Sequence, residues 1–204
     1  MPKIPLGMWI DQGVKWLQIH CGSGLDAFSS AFNNGIGQFK DVLLFIPWWV
    51  IILVFAVIAW RARSWKLSLG TIIGLLFIYN LGLWPSFIDT LILVILSALV
   101  SILIGLPLGV LAGRSSRFHV VISPILDFMQ TMPSFVYLIP ALLFFGIGKV
   151  PAVFATVIFA MPPVIRLADL GIRQVPVDLV EVGEAFGSSP GELLWKIQLP
   201  VAMP

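Results

Sequence analysis

Charge is scarce in this chain. Twelve basic and ten acidic residues make up 11% of its 204 positions, where a soluble globular domain carries roughly 25%. A water-soluble fold is therefore a poor account of most of the sequence. Cysteine is scarcer still. Cys21 stands alone, which excludes an internal disulfide, and with only two histidines no Cys/His cluster has metal-ligand spacing. His20 beside Cys21 makes no site, since a metal needs a converging set. The surrounding LQIHC lacks the apolar run and the small residue that a lipoprotein cleavage box requires. Nucleotide-binding machinery is missing too. GIGK, at residues 146–149, has Leu143 where a Walker A loop needs glycine and Val150 where it needs Ser or Thr. No Ser/His/Asp set and no carboxylate pair stands out, so neither catalysis nor a cofactor in the chain is expected. A net charge of +2 gives no footing for nucleic acid, and no such partner is expected.

Apolar length is what the chain has in abundance. Runs at residues 42–60, 67–84, 90–113, 118–146 and 150–165 predict about five crossings, each near the roughly 20 residues that a bilayer core requires. The fourth run is broken by Pro124, Pro133 and Pro140. The fold class expected is an all-α, polytopic helical membrane protein. Arg61, Arg63 and Lys66 follow the first run, Arg114 and Arg117 the third, and Arg166 and Arg173 the fifth. The alternate connections carry only Asp89 and Lys149 as charges. Because cytoplasmic loops hold the Lys/Arg excess, the N-terminus is expected outside and the C-terminal segment inside. Residues 1–41 balance three Lys against three Asp. Trp9, Ile10, Gly13, Val14, Leu17 and His20, then Leu25, Phe28, Phe32, Ile36 and Phe39, recur at helical spacing. They predict amphipathic helices in the outer interface.

Three features within the apolar region call for a role. Ser97, Ser101, Gly105, Gly109 and Gly113 recur every four residues. That spacing of small side chains lets membrane helices approach closely, within one chain or across a dimer. Trp48, Trp49, Trp60, Trp65 and Trp84 sit near run ends and read as interfacial anchors rather than an aromatic cage. Asp127 is an acid in ILDFMQTMP. It is either an intramembrane functional carboxylate or, if Pro133 starts the true span, a group near water on a shallow helix. With Met132 and Pro133 it marks a candidate translocation path.

The segment EVGEAFGSSPGELLWKIQLP, residues 181–200, is far more polar. Pro176 suits a first helical turn, and Gly187 a left-handed C-cap. Ser189, Pro190 and Glu192 spell a capping box, after which Pro200 is expected to halt the second helix. Residues 166–200 hold three basic and five acidic groups, a net charge of −2. The segment is either an amphipathic hairpin resting on the membrane or an apolar knob with an acidic edge that docks on a soluble partner.

The spacing of Glu181, Gly187, Ile197, Leu199 and Pro200 resembles the cytoplasmic EAA signature of ABC importer permeases, with Val182 and Gly183 in place of its two alanines. The upstream text, from LDFMQTMPSFVYLIPALLFFGIGKV to GIRQVP, is similar to glycine betaine/proline permeases of the osmoprotectant importers, over roughly residues 124–200. That resemblance implies a MetI-like transmembrane subunit in a bacterial inner membrane that forms a homodimer. Its partners would be cytoplasmic ABC ATPase subunits carrying ATP and Mg, an external substrate-binding protein or domain, and membrane lipid. By position, Glu181, Val182, Gly183 and Gly187 would couple to the ATPase, while Ile197, Leu199 and Pro200 would fix the second helix on the membrane domain. Three regions follow: an external tail (1–41), a transmembrane domain (42–165) and a coupling segment (166–204). The family continues past this motif with at least one more membrane helix, so the chain is expected to stop short of it.

Overall fold

A computed structural model describes residues 6–202, except for the side chains of 6–11 and 18. All regular structure among these residues is helical: α1 (Leu6–Phe45), α2 (Trp48–Ala62), α3 (Trp65–Asn80), α4 (Trp84–Arg114), α5 (Ser116–Thr131), α6 (Phe135–Phe145), α7 (Lys149–Arg173) and four short pieces after it. The chain divides into two compact units, Met1–Ile95 with Ala141–Ala152, and Leu96–Pro140 with Val153–Pro204.

In the first unit, α1 is one helix of 40 residues rather than a set of short interfacial ones. Among its described side chains Ile36 is the buried one, whereas Phe28 and Phe39 of the expected apolar face stay exposed. Trp9 and Ile10 lie outside the described side chains. The first expected span, 42–60, is two helices. Pro47 has no N–H and disfavours helical geometry at the residue before it, so α1 stops at Phe45 and α2 leaves it at 92°. With 15 residues, α2 is roughly 22 Å long, short of the ~30 Å of a hydrocarbon core.

Ser64 caps α3 by accepting from Leu67 N–H, which turns the chain back so that α3 packs on α2. At the far end an aromatic ladder joins the helices. Trp48 stacks on Tyr79 at 4.5 Å, Tyr79 meets Trp84 edge-on at 5.8 Å, and Trp84 lies 5.2 Å from Phe87. Trp49, Trp60 and Trp65 are exposed, whereas Trp84 is buried against Tyr79 and Phe87. Asp89 accepts from Lys40 at 2.7 Å and from Lys149 at 2.6 Å, so one carboxylate ties α1, α4 and α7.

In the second unit, the small-residue stripe of α4 lies along α7. Ser97 and Ser101 are each 1% exposed, and Ser101 donates to Val157 O. A Cβ on Gly105 would lie 2.9 Å from Val164 Cγ1. On Gly109 it would lie 2.5 Å from Ala168 Cβ, and on Gly113 2.6 Å from Ile172 Cβ. The close approach is made within the chain, and every fourth residue must be small to allow it.

Among the described residues, α4 and α7 are long and apolar enough to cross a membrane, with up to four such spans if each of two bent pairs counts as one, where the apolar runs predict about five. The second bent pair is α5 and α6, which meet at 90°. Met132 is extended (φ −79°, ψ 133°) ahead of Pro133, as the residue before proline prefers. Pro124 and Pro140 stay inside their helices. α7 continues past Ile165, so Arg166 and Arg173 belong to the helix rather than to a loop behind it.

Candidate functional site

The polar segment folds as a capped hairpin of α8 (Val177–Ala185), α9 (Pro190–Glu192), a π-helical turn (Leu193–Gln198) and α10 (Leu199–Ala202). Pro176 stands just outside α8 as its N-cap, one residue earlier than the sequence implies. At the other end Gly187 adopts φ +79°. Its N–H donates to Glu184 O and the Ser188 N–H to Gly183 O. This pair of bonds is the Schellman closure, which needs a residue free to turn left-handed. Two residues later the chain re-enters a helix. The Ser189 hydroxyl accepts from Glu192 N–H while the Glu192 carboxylate accepts from Ser189 N–H at 3.0 Å, so the capping box is complete.

Pro200 does not end the second helix. Its ring would collide with the carbonyl four residues back in a regular α-helix. The chain instead widens into the π turn, with Leu199 N–H donating to Leu194 O, and continues to Ala202.

One side of the hairpin is closed and the other bare. Gly183 is buried, and a Cβ there would lie 2.5 Å from Ile197 Cδ1 and 2.6 Å from Leu193 Cδ2. Leu193 is buried, so Ile197 and Leu193 fill the space that Gly183 leaves. Outward point Val177, Val182, Phe186 (86% exposed) and Trp195 (73% exposed), among Asp178, Glu181 and Glu184. Two exposed aromatics and three exposed carboxylates on one short segment have the make-up of a docking surface. Leu199 and Ala202 face the other way. They line an apolar cavity of ≈ 510 Å³ with Leu106, Val110 and Leu167, and Ala202 lies against Gly171 of α7. Pro200 itself is exposed.

Asp127 and Arg166 form an ion pair between α5 and α7, and neither is enclosed by the rest of the chain. Met132 and Pro133 form the corner between α5 and α6. A second carboxylate is the one that sequence reasoning passed over. Asp169 is 9% exposed, 2.6 Å from His119 Nδ1 and 2.8 Å from Arg173 Nε. Arg173 also donates to Ala112 O at 2.7 Å. The only local signal was the i,i+4 spacing of Asp169 and Arg173, which on a helix usually means a surface pair.

Residues 105–204 match the family described as binding-protein-dependent transport system inner membrane component. Similarity to curated relatives extends further along the chain. It is 46% identical to the glycine betaine/carnitine transport permease protein GbuB of Listeria monocytogenes serotype 1/2a (strain 10403S), over 99% of this chain and 73% of the relative. It is also 46% identical to the glycine betaine transport system permease protein OpuAB of Bacillus subtilis (strain 168), over 99% and 72%. This chain belongs to the binding-protein-dependent transport permease family. Identity to the glycine betaine/proline betaine permease ProW of Escherichia coli (strain K12) is 44%, over 98% of this chain and 57% of the relative.

Family membership places the permease in an inner membrane and in an ABC-transporter setting, with an ATPase and a substrate-binding protein as partners. It also gives meaning to the two departures from the EAA pattern. Val182 stands on the exposed side, where it adds apolar surface. Gly183 stands on the closed side, where even alanine would press on Leu193 and Ile197.

The capping box can be tested alone. Ser189→Ala is expected to cost about 1 kcal/mol, read as a lower melting temperature of the permease and faster amide exchange at Glu192. Hydrogen bonds from Lys196 and from the Ser189 N–H and hydroxyl hold the Glu192 carboxyl at about 2 rather than the usual 4.5. Its folded value is the depressed one, so its stabilisation is complete above pH 4.5 and fades as pH falls toward 2. Amide protection across residues 189–193 is expected to match at pH 7 and pH 5 and to drop only on stronger acidification.

Proposed function

We propose that this chain is the membrane-spanning subunit of an ATP-driven importer of glycine betaine and related compatible solutes, serving osmoprotection. The observation that carries this reading is identity of 44–46% over nearly the whole chain to relatives named as glycine betaine permeases. Permeases named for choline and carnitine alone match at 33% and 29%, over about half of it. Two copies of the permease enclose the path, a binding protein delivers solute from outside, and lipid surrounds the exposed apolar faces of α4 and α7. The N-terminus lies outside and the hairpin in the cytoplasm, following the positions of Arg61, Arg63, Arg114 and Arg117.

ATP and Mg act on the partner ATPase, with Glu181 at the edge of its cleft and Phe186, Val182 and Trp195 against its surface. Gly187 joins the two halves of the hairpin at a fixed angle. Leu199 and Ala202 join the hairpin to α4 and α7, so closure of the ATPase pair moves the hairpin as one body and reshapes the path. Asp127, Met132 and Pro133 lie along that path, at the bend between α5 and α6.

The test is uptake of labelled solutes by the complete transporter in liposomes loaded with ATP. Glycine betaine and proline betaine are expected to accumulate, with choline slower. Import of unrelated amino acids without any betaine would sink the substrate reading.

A further inference from the structure

The transport reading leaves the buried carboxylate of Asp169 without a role. Asp169 sits one turn before the end of α7, and its two oxygens have different partners. A carboxylate can only accept, so His119 Nδ1 carries the hydrogen that meets one oxygen. Arg173 Nε meets the other, and the same guanidinium donates to Ala112 O in the last turn of α4. His119 belongs to the first turn of α5. One acid therefore gathers the end of α4, the start of α5 and the end of α7. A buried charge that loses a partner is left uncompensated, so these three ends are held together as a block.

The hairpin is joined to that block by a short, stiff link. Only Gln174, Val175 and Pro176 separate α7 from α8. Gln174 and Val175 continue the hydrogen bonding to Leu170 O and Ile172 O, and Pro176 has a fixed φ. Such a link cannot absorb a displacement of α8. Arg114 and Arg173 also line a cavity of ≈ 370 Å³ with Val177 and Val180 of α8 and with Gln198. Gln198 Oε1 is buried there with no hydrogen-bond partner, an acceptor open to a guanidinium that shifts.

We propose that Asp169 is a positioning residue for transport: with His119 and Arg173 it latches α4 and α5 to the end of α7, so that displacement of the hairpin moves all three helices together. This rests on the transport reading. The experiment compares Asp169→Asn, Asp169→Glu, His119→Gln and His119→Leu in the complete transporter, measuring assembly with the ATPase and ATP hydrolysed per solute imported. Asp169→Asn is expected to keep ATP hydrolysis while the ATP used per solute rises roughly tenfold. Asp169→Glu is expected to restore part of the coupling. His119→Gln, which can still donate, is expected to stay near the native ratio, and His119→Leu to depart from it.

A native ratio in both Asp169→Asn and His119→Leu overturns the latch. So does a parallel fall in hydrolysis and uptake, which a merely structural role would give. If Asp169→Asn does not assemble, the two His119 variants decide, and equal ratios in them overturn it. A native complex that imports nothing overturns the transport reading instead.

Discussion

Gly109→Leu is expected to abolish folded, monodisperse permease. The reason is what surrounds the missing side chain. A Cβ at Gly109 would lie 2.5 Å from Ala168 Cβ, 2.6 Å from Ile165 O and 3.2 Å from Ile165 Cα. Two of those three atoms are backbone, and the third is a methyl fixed directly to backbone. Nothing there can rotate away, so α4 and α7 must separate, taking with them the fit at Gly105 and Gly113. Even Gly109→Ala is expected to destabilise by about 1–3 kcal/mol, the usual cost of overpacking. Gly70→Ala is the matched control. That glycine lies in α3 with nothing within 4 Å of an added Cβ, so the change is expected to be neutral or to gain helix propensity. Thermal melting of the purified permease, with elution profile as the second readout, checks both. Equal melting temperatures for native protein and Gly109→Ala would mean that the two helices do not meet there.

Phe186→Ala and Trp195→Ala are expected to strip the permease of its ATPase. These are among the most exposed large side chains outside the region read as spanning, and buried aromatic anchors at interfaces commonly cost 2 kcal/mol or more when truncated. Each substitution is therefore expected to weaken ATPase binding by about 30-fold, and the pair together to prevent co-purification. Folding is expected to be untouched, since neither side chain packs within the hairpin. Titration of the ATPase against the reconstituted permease variants measures this. Native affinity in the double variant would assign the aromatic knob to the membrane surface, the other reading its sequence allowed.

The parts legible from sequence are those written in local chemistry. The Ser189–Glu192 box and the turn at Gly187 follow from residues within five positions of one another, whereas of the three prolines read as breaking the fourth run only Pro133 stands at a corner. The stripe from Ser97 to Gly113 named its own function, although only the fold identified α7 as its partner. Pro47 is hidden in the sequence because the apolar run continues on both sides of it, and hydropathy does not register a missing N–H. Arg166 and Arg173 follow an apolar run and so read as loop charges, whereas α7 continues through them. Asp169 was invisible for a different reason. His119 is 50 positions away and Ala112 contributes only a carbonyl, so no pattern of residue types could bring the three together.

The π turn at Leu193–Gln198 has a consequence for how this hairpin tolerates change in length. In an α-helix one residue is about 100° of rotation, so a helix that carries the exposed Trp195 and the cavity-lining Leu199 normally fixes the angle between them by residue count. A turn already opened to the wider spacing can take up or release a residue locally. The angular phase between the exposed surface of the hairpin and the surface packed toward α4 and α7 is thus adjustable at one place, without rebuilding either.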